Sequence, residues 1–221
     1  MKQGGILLLN HDRMDEYELL APVYDPLLHA VMHRLRKKVV ETARHLPHER
    51  VIDICCGTGN QLKYFKKAGF SNLTGVDISS SMLEQAGKGN HRVACDEQDA
   101  SRMSFPDNTF DLGIISFALH EKPLHVSRMI VSEAERIVHP RGNLIVVDYL
   151  FEKPIRWPAR VTIDVVERFA GKHHYRYFRE YIRHGGMNHL MDGSRLTSEY
   201  RFHGNATGIR VYSNDKFGQY A

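Results

Sequence analysis

Two apolar segments in the middle of the chain each end in residues that could bind a ligand. Residues 51–60 read VIDICCGTGN, an apolar run that ends in a turn of small residues. Residues 73–79 read LTGVDIS, a second apolar run whose Asp77 lies 20 positions after Gly57. This spacing is typical of an α/β sheet in which a glycine turn meets a nucleoside and the next strand end accepts hydrogen bonds from ribose hydroxyls. We therefore expect a nucleoside cofactor.

The composition of the turn indicates which cofactor it binds. A dinucleotide site needs GxGxxG, whose third glycine lets helix and strand close around a pyrophosphate. Leu62 stands at that third position, and the turn begins with Asp53, which would repel a pyrophosphate and attract a cationic amine. The turn therefore favours S-adenosylmethionine over NAD and argues against a nicotinamide-dependent oxidoreductase.

The turn resembles the first motif of the class I S-adenosylmethionine-dependent methyltransferases, usually written DxGxGxG. Asp53, Gly57 and Gly59 match that motif, whereas Cys55 stands where the family most often has glycine. The segments EQDASRMSF (97–105) and FDLGIISFALHE (110–121) are similar to later parts of the family's cofactor site. Together these segments predict the following cofactor-binding residues: Asp53, Gly57, Thr58, Gly59, Asp77, Ile78, Met82, Asp99, Ala100, Ser116 and Phe117.

The roles expected of these residues follow the parts of the cofactor. Asp77 would hold the ribose, and Ile78 and Met82 would pack against the adenine ring. By resemblance, Asp99 would accept from the adenine amino group, and Ser116 and Phe117 would face the methionine part. A non-catalytic regulator that binds S-adenosylmethionine has the same motifs and stays open as an alternative to an enzyme.

The pattern of elements predicts a doubly wound α/β fold. Strand and helix patterns alternate between residues 51 and 150 and imply a parallel sheet of five strands, after a helix over 25–46. The third and fifth of these strands are expected at 91–95 and 143–150, with a turn at 139–142 before the fifth. By resemblance, two strands after residue 194 complete a mostly parallel, Rossmann-like seven-stranded sheet ending in an antiparallel pair. Helices near 155–170 and 174–183 would then form a lid.

The whole chain, 1–221, is predicted to be a single methyltransferase domain. Its parts would be an N-terminal lid and covering helix (1–47), a cofactor-binding core (48–150), and substrate-side helices with a terminal strand pair (151–221).

His120 is the candidate catalytic residue. It follows the fourth strand, and ligands bind at the carboxyl ends of strands in open α/β sheets. An imidazole there could accept a proton from the methyl acceptor because its ordinary pKa is near neutrality. The alternatives are that His120 only shapes the pocket or caps the next helix. Alignment of the reactants can supply most of the acceleration of methyl transfer, so a base is not strictly required.

Two flanking segments bear on the substrate. APVYDPL (21–27) and HYRYFREYIRHGG (174–186) are similar to segments of the ubiquinone and menaquinone biosynthesis methyltransferases. The resemblance implies that Tyr24 and Tyr175, with His120, contact the substrate. It also implies a small acceptor, such as a quinone or a phenol-like metabolite, methylated at carbon or oxygen. The loop FALHEKP (117–123) lacks the Arg-Asn type sequence of those enzymes.

Composition and charge limit the remaining possibilities. No apolar run approaches the roughly 20 residues that span a bilayer, and the three cysteines do not form a disulfide framework. We therefore expect a soluble cytoplasmic protein. The net charge is +4, and from Phe151 onward 12 Lys and Arg face 7 Asp and Glu. That basic excess is either a solvated surface or a contact for an acidic substrate, a membrane surface or RNA.

Other kinds of site are not supported by the sequence. His29 and His33 lie one helical turn apart, but Ala30 stands where a metalloprotease has glutamate, so no metal site is predicted. No Asp/Asn-Pro-Pro-Tyr sequence follows the fourth strand, which argues against DNA as a substrate. The basic C-terminal third lacks a specific RNA-binding pattern, so RNA is disfavoured too. A peripheral membrane contact stays open, and the sequence does not indicate the oligomeric state.

Overall fold

The computed structural model describes residues 21–88, 92–152 and 154–215, with side chains from residue 32 onward. The expectations for residues 1–20, for His91 and for the side chains of Tyr24, His29 and Ala30 lie outside the described residues. The helices are α1 (Ala21–Ala43), α2 (Asn60–Lys67), α3 (Ser80–Ala86), α4 (Leu124–Ile137), α5 (Trp157–Phe169), α6 (Lys172–Arg183) and α7 (Met187–Leu190). The strands are β1 (Val51–Ile54), β2 (Leu73–Asp77), β3 (Cys95–Glu97), β4 (Phe110–Ser116), β5 (Val138–Tyr149), β6 (Arg195–Phe202) and β7 (Thr207–Ser213).

The strands form one seven-stranded sheet in the order β3-β2-β1-β4-β5-β7-β6. Strands β1 to β5 are parallel, whereas β7 runs antiparallel to both β5 and β6. The predicted doubly wound, mostly parallel sheet is therefore confirmed. Ile54 at the end of β1 pairs with Val76 on one side and Ile115 on the other. The strand order reverses at β1. Open α/β sheets bind ligands at the carboxyl ends of the strands beside such a reversal.

The structure differs from the predicted elements in three places. Strand β3 begins at Cys95, where the sequence predicted a strand to end, because this short edge strand carries exposed Asp96 and Glu97 and no apolar pattern. The predicted turn at 139–142 lies within β5, beside a register shift between Phe110 and Leu112. The one-turn helix α7 was not predicted.

The sheet is covered on both faces by apolar clusters. In β5, Ile145 and Val147 pack on the face covered by α1 and α2, whereas Leu144 and Val146 face α4, α6 and α7. Burial on both faces explains why the strands read as continuous apolar runs rather than as alternating patterns.

Helices α5 and α6 lie beyond the carboxyl end of β5. They pack together through Ile163 and Phe178, with Ala206 from the loop before β7. Within α5, only Ile163 and Glu167 are buried, whereas Trp157 and Phe169 are 76% and 88% exposed. Among the described helices, none combines the length and apolar character needed to cross a membrane.

Candidate functional site

The turn between β1 and α2 has a backbone that favours glycine. Gly57 and Gly59 have φ angles of +53° and +67°, and Cys55 also has a positive φ. A Cβ atom on Gly59 would lie 2.9 Å from Val93 Cγ2, whereas a Cβ on Gly57 would meet no atom within 4 Å. Gly59 is therefore required for close packing, and Gly57 leaves its backbone open to a ligand. Thr58 between them is buried.

Asp77 joins this turn to the end of β2. Its Oδ2 accepts from the Gly57 backbone N–H at 2.8 Å, and its Oδ1 accepts from the Ser79 N–H at 2.9 Å. Burial raises the pKa of Asp77, although these two N–H groups oppose the shift. Each carboxylate oxygen can accept more than one hydrogen bond, so Asp77 retains capacity for ribose hydroxyls. Ile78 beside it is 55% exposed and presents apolar surface where the adenine ring is expected.

The segment after β3 reaches the same edge of the sheet. The Gln98 backbone N–H donates to the Asp77 carbonyl at 3.0 Å, which places Asp99 and Ala100 next to the end of β2. Asp99 Oδ1 accepts from the N–H and hydroxyl of Ser101 at 2.8 and 2.7 Å. Ala100 and the predicted adenine contact Met82 are both buried.

Two buried polar atoms at predicted site residues lack hydrogen-bond partners among the described residues. They are Asp53 Oδ1 in β1 and Ser116 Oγ at the end of β4. Burial raises the pKa of Asp53 well above its ordinary value, and nearby Cys95 and Asp77 raise it further. Buried polar groups are nearly always paired, so such atoms are candidates for contacts with a ligand. These donors and acceptors fit a cationic nucleoside cofactor.

Cys55, the first of the two cysteines in the turn, is not a reactive nucleophile. Burial raises the pKa of Cys55 to about 12, so the side chain stays a neutral thiol at physiological pH. Cys55 therefore serves as a small residue in a left-handed backbone position.

His120 lies in a buried network of charged side chains beyond β4. Its Nδ1 lies 2.7 Å from Asp148 Oδ1, and the backbone N–H groups of Leu119 and His120 donate to Asp148 Oδ2 at 3.2 and 3.3 Å. Asp148, at the end of β5, is completely buried. The backbone N–H of Tyr149 donates to Asp148 Oδ1 at 2.7 Å. Asp148 therefore holds both the ring of His120 and the loop that carries it.

Helices α5 and α6 complete the network from the other side. Glu167 Oε2 lies 3.6 Å from His120 Nε2 and 2.7 Å from His174 Nε2. The Tyr149 hydroxyl donates to Glu167 Oε1 at 2.7 Å. His174 Nδ1 lies 3.9 Å from Glu121 Oε2, and Glu121 also pairs with Lys122 at 2.7 Å. We call His120, Glu121, Asp148, Glu167 and His174 the acceptor-side cluster.

The protonation of His120 follows from these neighbours. Burial alone would lower its pKa, but Asp148, Glu167 and Glu121 outweigh burial and raise it to about 9. In this arrangement His120 carries a proton at neutral pH. Its predicted role as a base stays a prediction and requires a change in the surrounding charges.

Aromatic rings surround His120. Phe117, Tyr149, Phe178 and Tyr181 place their ring centroids 4.7 to 6.4 Å from the imidazole. Phe117 has a φ of +54°, and its N–H donates to Val147 O at 2.7 Å, which fixes the chain as it leaves β4.

The two tyrosines predicted to contact substrate have different positions. The Tyr175 hydroxyl donates to Asp164 Oδ1 at 2.7 Å, and Arg168 lies over its ring, so Tyr175 joins α6 to α5. Tyr24 lies in the part of α1 before residue 32, where side chains are not described. The sequence analysis missed Asp148 and Glu167, and it treated His174 only as part of an aromatic segment. A buried-strand aspartate and a glutamate on the buried face of a helix were the available signals.

Comparisons with known proteins show similarity to methyltransferases. Residues 51–142 match a protein family described as a methyltransferase domain. The demethylmenaquinone methyltransferase of Renibacterium salmoninarum is 29% identical over 150 residues, covering 66% of this chain and 61% of that protein. The match thus spans less than two thirds of that relative. The ubiquinone/menaquinone biosynthesis C-methyltransferase UbiE of Cupriavidus metallidurans is 28% identical, covering 98% of this chain and 94% of that protein.

A solved structure shares the fold. It is the 1,6-didemethyltoxoflavin-N1-methyltransferase of Burkholderia thailandensis, with bound 1,6-didemethyltoxoflavin and S-adenosylhomocysteine. It superposes with a TM-score of 0.58 at 13% identity, covering 96% of this chain and 92% of that one.

Proposed function

Because the chain belongs to the class I S-adenosylmethionine-dependent methyltransferases, we propose that it methylates a small aromatic acceptor. The acceptor class is a quinone or phenol-like metabolite, methylated at carbon or at oxygen. Two observations support the class: the curated relatives act in quinone biosynthesis by name, and aromatic rings surround His120.

The observation that carries the assignment of the cofactor site is the hydrogen bond between Gly57 N–H and Asp77. It places an open backbone turn and a carboxylate side by side at the carboxyl ends of adjacent strands. We assign Asp77 to the ribose hydroxyls, Ile78 and Met82 to the adenine ring, and Asp99 to the adenine amino group. The carboxyl group of Asp53 would stabilise the ammonium group of the bound cofactor. Gly57, Thr58 and Gly59 would line the turn. When bound, S-adenosylmethionine supplies a methyl group on a highly activated sulfonium.

The chain's own contribution to transfer is alignment and exclusion of water. Holding two reactants in line lowers the barrier without further chemistry. Phe117 and Ser116 at the end of β4 would face the methionine part, and the aromatic rings around His120 would hold the acceptor. We assign His120 to the acceptor, with Asp148 fixing the orientation of its ring.

Access to this site requires movement of α5. His120 is only 3% exposed, and Glu167 of α5 stands over its Nε2. An acceptor that contacts His120 Nε2 would therefore require the Glu167 side chain to move aside. Closure of the helix would then exclude water from the reacting groups.

The experiment is calorimetric titration of the purified chain with S-adenosylmethionine and with NAD, followed by transfer of labelled methyl to quinone and phenol acceptors. We expect binding of S-adenosylmethionine only, and a methylated product. Asp77→Ala should weaken cofactor binding by about 1.5 to 3 kcal/mol, the value of hydrogen bonds to a charged group. Asp96→Ala, on exposed β3, is the matched control and should bind normally.

The outcomes separate the competing functions. Binding of NAD instead would support an oxidoreductase. Tight binding of S-adenosylmethionine without methyl transfer to any acceptor would support a regulator that has lost catalysis. Unchanged affinity in folded Asp77→Ala would remove Asp77 from the site.

A peripheral contact with an anionic membrane is proposed for the outer face of α5. Trp157 and Phe169 are largely exposed there, with Val161 between them at 52% exposure, and Arg156 and Arg160 are exposed nearby. Exposed aromatic and basic residues on one helix suit the interface of an anionic bilayer. A quinone-like acceptor would be collected from such a surface on its cytoplasmic side.

Co-sedimentation with phosphatidylglycerol vesicles tests this contact. Binding should fall at higher salt and be lost in Trp157→Ala/Phe169→Ala, while Leu196→Ala, an exposed apolar control on β6, should bind normally. Equal binding of all three proteins, or none, would contradict it.

A further inference from the structure

We propose that His120, Glu167 and His174 bind a divalent transition-metal cation, with Zn²⁺ as the ion that best suits the ligands. The three side chains each offer one ligand atom, and these atoms lie within 4.8 Å of one another. The inference goes beyond methyl transfer, and binding of an ion can be measured without it. It departs from the sequence analysis, which predicted no metal site.

The distances are close to those of a metal site. Ligand atoms about 2.0 to 2.2 Å from a tetrahedral zinc ion are separated from one another by roughly 3.3 Å. His120 Nε2 and Glu167 Oε2 are 3.6 Å apart, and His174 Nε2 is 2.7 Å from the same Oε2. Side-chain rotations that move the second pair apart by a few tenths of an ångström would admit an ion.

The chemistry of the ligand set is the stronger argument. The Nε2 atoms of both imidazoles lie beside Glu167 Oε2, so two nitrogens and one carboxylate oxygen are gathered in one place. Two histidines and one carboxylate are a frequent ligand set for catalytic zinc and non-haem iron. Such a set leaves at least one coordination position for water or for an oxygen of a ligand.

Each ligand also has a partner behind it. Asp148 lies 2.7 Å from His120 Nδ1, the Tyr149 hydroxyl donates to Glu167 Oε1, and Glu121 lies 3.9 Å from His174 Nδ1. Metal-binding histidines usually donate their other ring N–H to a carboxylate, which fixes the tautomer and raises the basicity of the ligating nitrogen. His120 has this arrangement with Asp148, His174 has a carboxylate within 4 Å of its other ring nitrogen, and Glu167 accepts from a hydroxyl instead.

The acceptor-side cluster carries an excess of negative charge that a cation could neutralise. Glu121, Asp148 and Glu167 carry three negative charges, and Lys122 beside Glu121 carries one positive charge. With neutral imidazoles, the excess is two negative charges in a buried place, which one divalent cation would neutralise. A proton shared within the cluster would offset part of the same excess, so a cluster held by protons is the competing explanation.

The test is titration of the full chain, stripped with a chelator, with Zn²⁺ by calorimetry, and with Co²⁺ by visible absorption. We expect one Zn²⁺ per chain and a Co²⁺ spectrum of a low-coordinate nitrogen and oxygen site. Mg²⁺, which prefers oxygen ligands, should bind far more weakly. Tyr149→Phe should reduce Zn²⁺ affinity by about 10-fold, within the range for partners of metal ligands, and His174→Gln, which removes a ligand, by about 100-fold or more.

His173→Gln is the matched control, because His173 is the exposed neighbour of His174 on α6. Its affinity for Zn²⁺ should stay within twofold of the wild type. Binding of S-adenosylmethionine by His174→Gln checks that this variant is folded. Absence of stoichiometric Zn²⁺ binding, or equal affinity in His174→Gln and wild type, would overturn the metal site in favour of the proton-held cluster. Zn²⁺ binding without methyl transfer would instead count against the proposed function alone.

Discussion

The proposed cofactor site and the acceptor-side cluster are built differently. The cofactor site is held together by backbone groups and one carboxylate, whereas the acceptor-side cluster is formed by charged side chains from separate segments. Asp77 accepts from two backbone N–H groups within the turns that follow β1 and β2. His120 instead depends on Asp148 from β5 and Glu167 from α5. The first arrangement needs particular backbone angles, and the second needs a balance of charge. The two sides should therefore fail in different ways when they are altered.

The largest effect is expected at the glycine turn. Gly59→Val places a branched side chain at a positive φ and against Val93 and Ala86. Strain and overpacking should lower the free energy of unfolding by about 2 to 5 kcal/mol and abolish binding of S-adenosylmethionine. Chemical denaturation and calorimetry measure both. Gly69→Ala, which also has a positive φ but open space around it, should lose only about 1 kcal/mol and bind normally.

The next effect concerns the acceptor side alone. His120→Gln should lower kcat by a factor of roughly 100 or more and leave the affinity for S-adenosylmethionine unchanged. His125→Gln, an exposed histidine at the start of α4, is the control and should behave as the wild type. A raised KM with unchanged kcat would show that His120 only positions the acceptor.

A smaller effect of opposite sign is expected at Asp53. The raised pKa means that the folded state holds the proton more tightly than the unfolded chain. Stability is therefore greatest below the ordinary aspartate pKa and is lost as the pH rises through the raised pKa. Asp53→Asn should gain about 1 to 3 kcal/mol of stability at neutral pH, gain little near pH 4, and bind S-adenosylmethionine more weakly. Denaturation at several pH values measures the difference, and a gain independent of pH would contradict the explanation.

The smallest effect is expected at Tyr175. Tyr175→Phe removes the hydrogen bond to the partly exposed Asp164 and should reduce stability by about 0.5 to 1 kcal/mol. If Tyr175 only joins the two helices, kcat and KM should stay within twofold of the wild type. A clear rise in KM would restore its predicted contact with the substrate.

The same contrast explains how much could be predicted from the sequence. The residues of the cofactor side lie in two short segments with fixed spacing. Gly57 and Gly59 adopt backbone angles that few residue types tolerate, and Asp77 accepts a hydrogen bond from the Gly57 N–H. The parallel sheet was predicted from the alternation of strand and helix patterns, and the terminal antiparallel pair from the family resemblance. Strand β3 was misplaced because its exposed Asp96 and Glu97 carry no apolar pattern.

The acceptor-side cluster could not be predicted in this way. Glu167 lies 47 positions after His120, and His174 lies on the helix after that of Glu167. No local pattern specifies that such residues meet, because their contact depends on how α5 and α6 settle on the sheet. Asp148 was missed because it lies within an otherwise apolar strand and meets His120 only in the folded chain.

The sparse inner face of α5 has a consequence for the timing of the reaction. Only Ile163 and Glu167 of this helix are buried, so one of its two buried side chains is a carboxylate, and it lies beside His120 and His174. Its position should therefore respond to the charge beneath it. If α5 closes over the site as proposed, added positive charge would favour the closed position of Glu167, and loss of that charge would favour release of the helix. Methyl transfer removes the positive charge of the sulfonium, so the same step would also favour departure of the product.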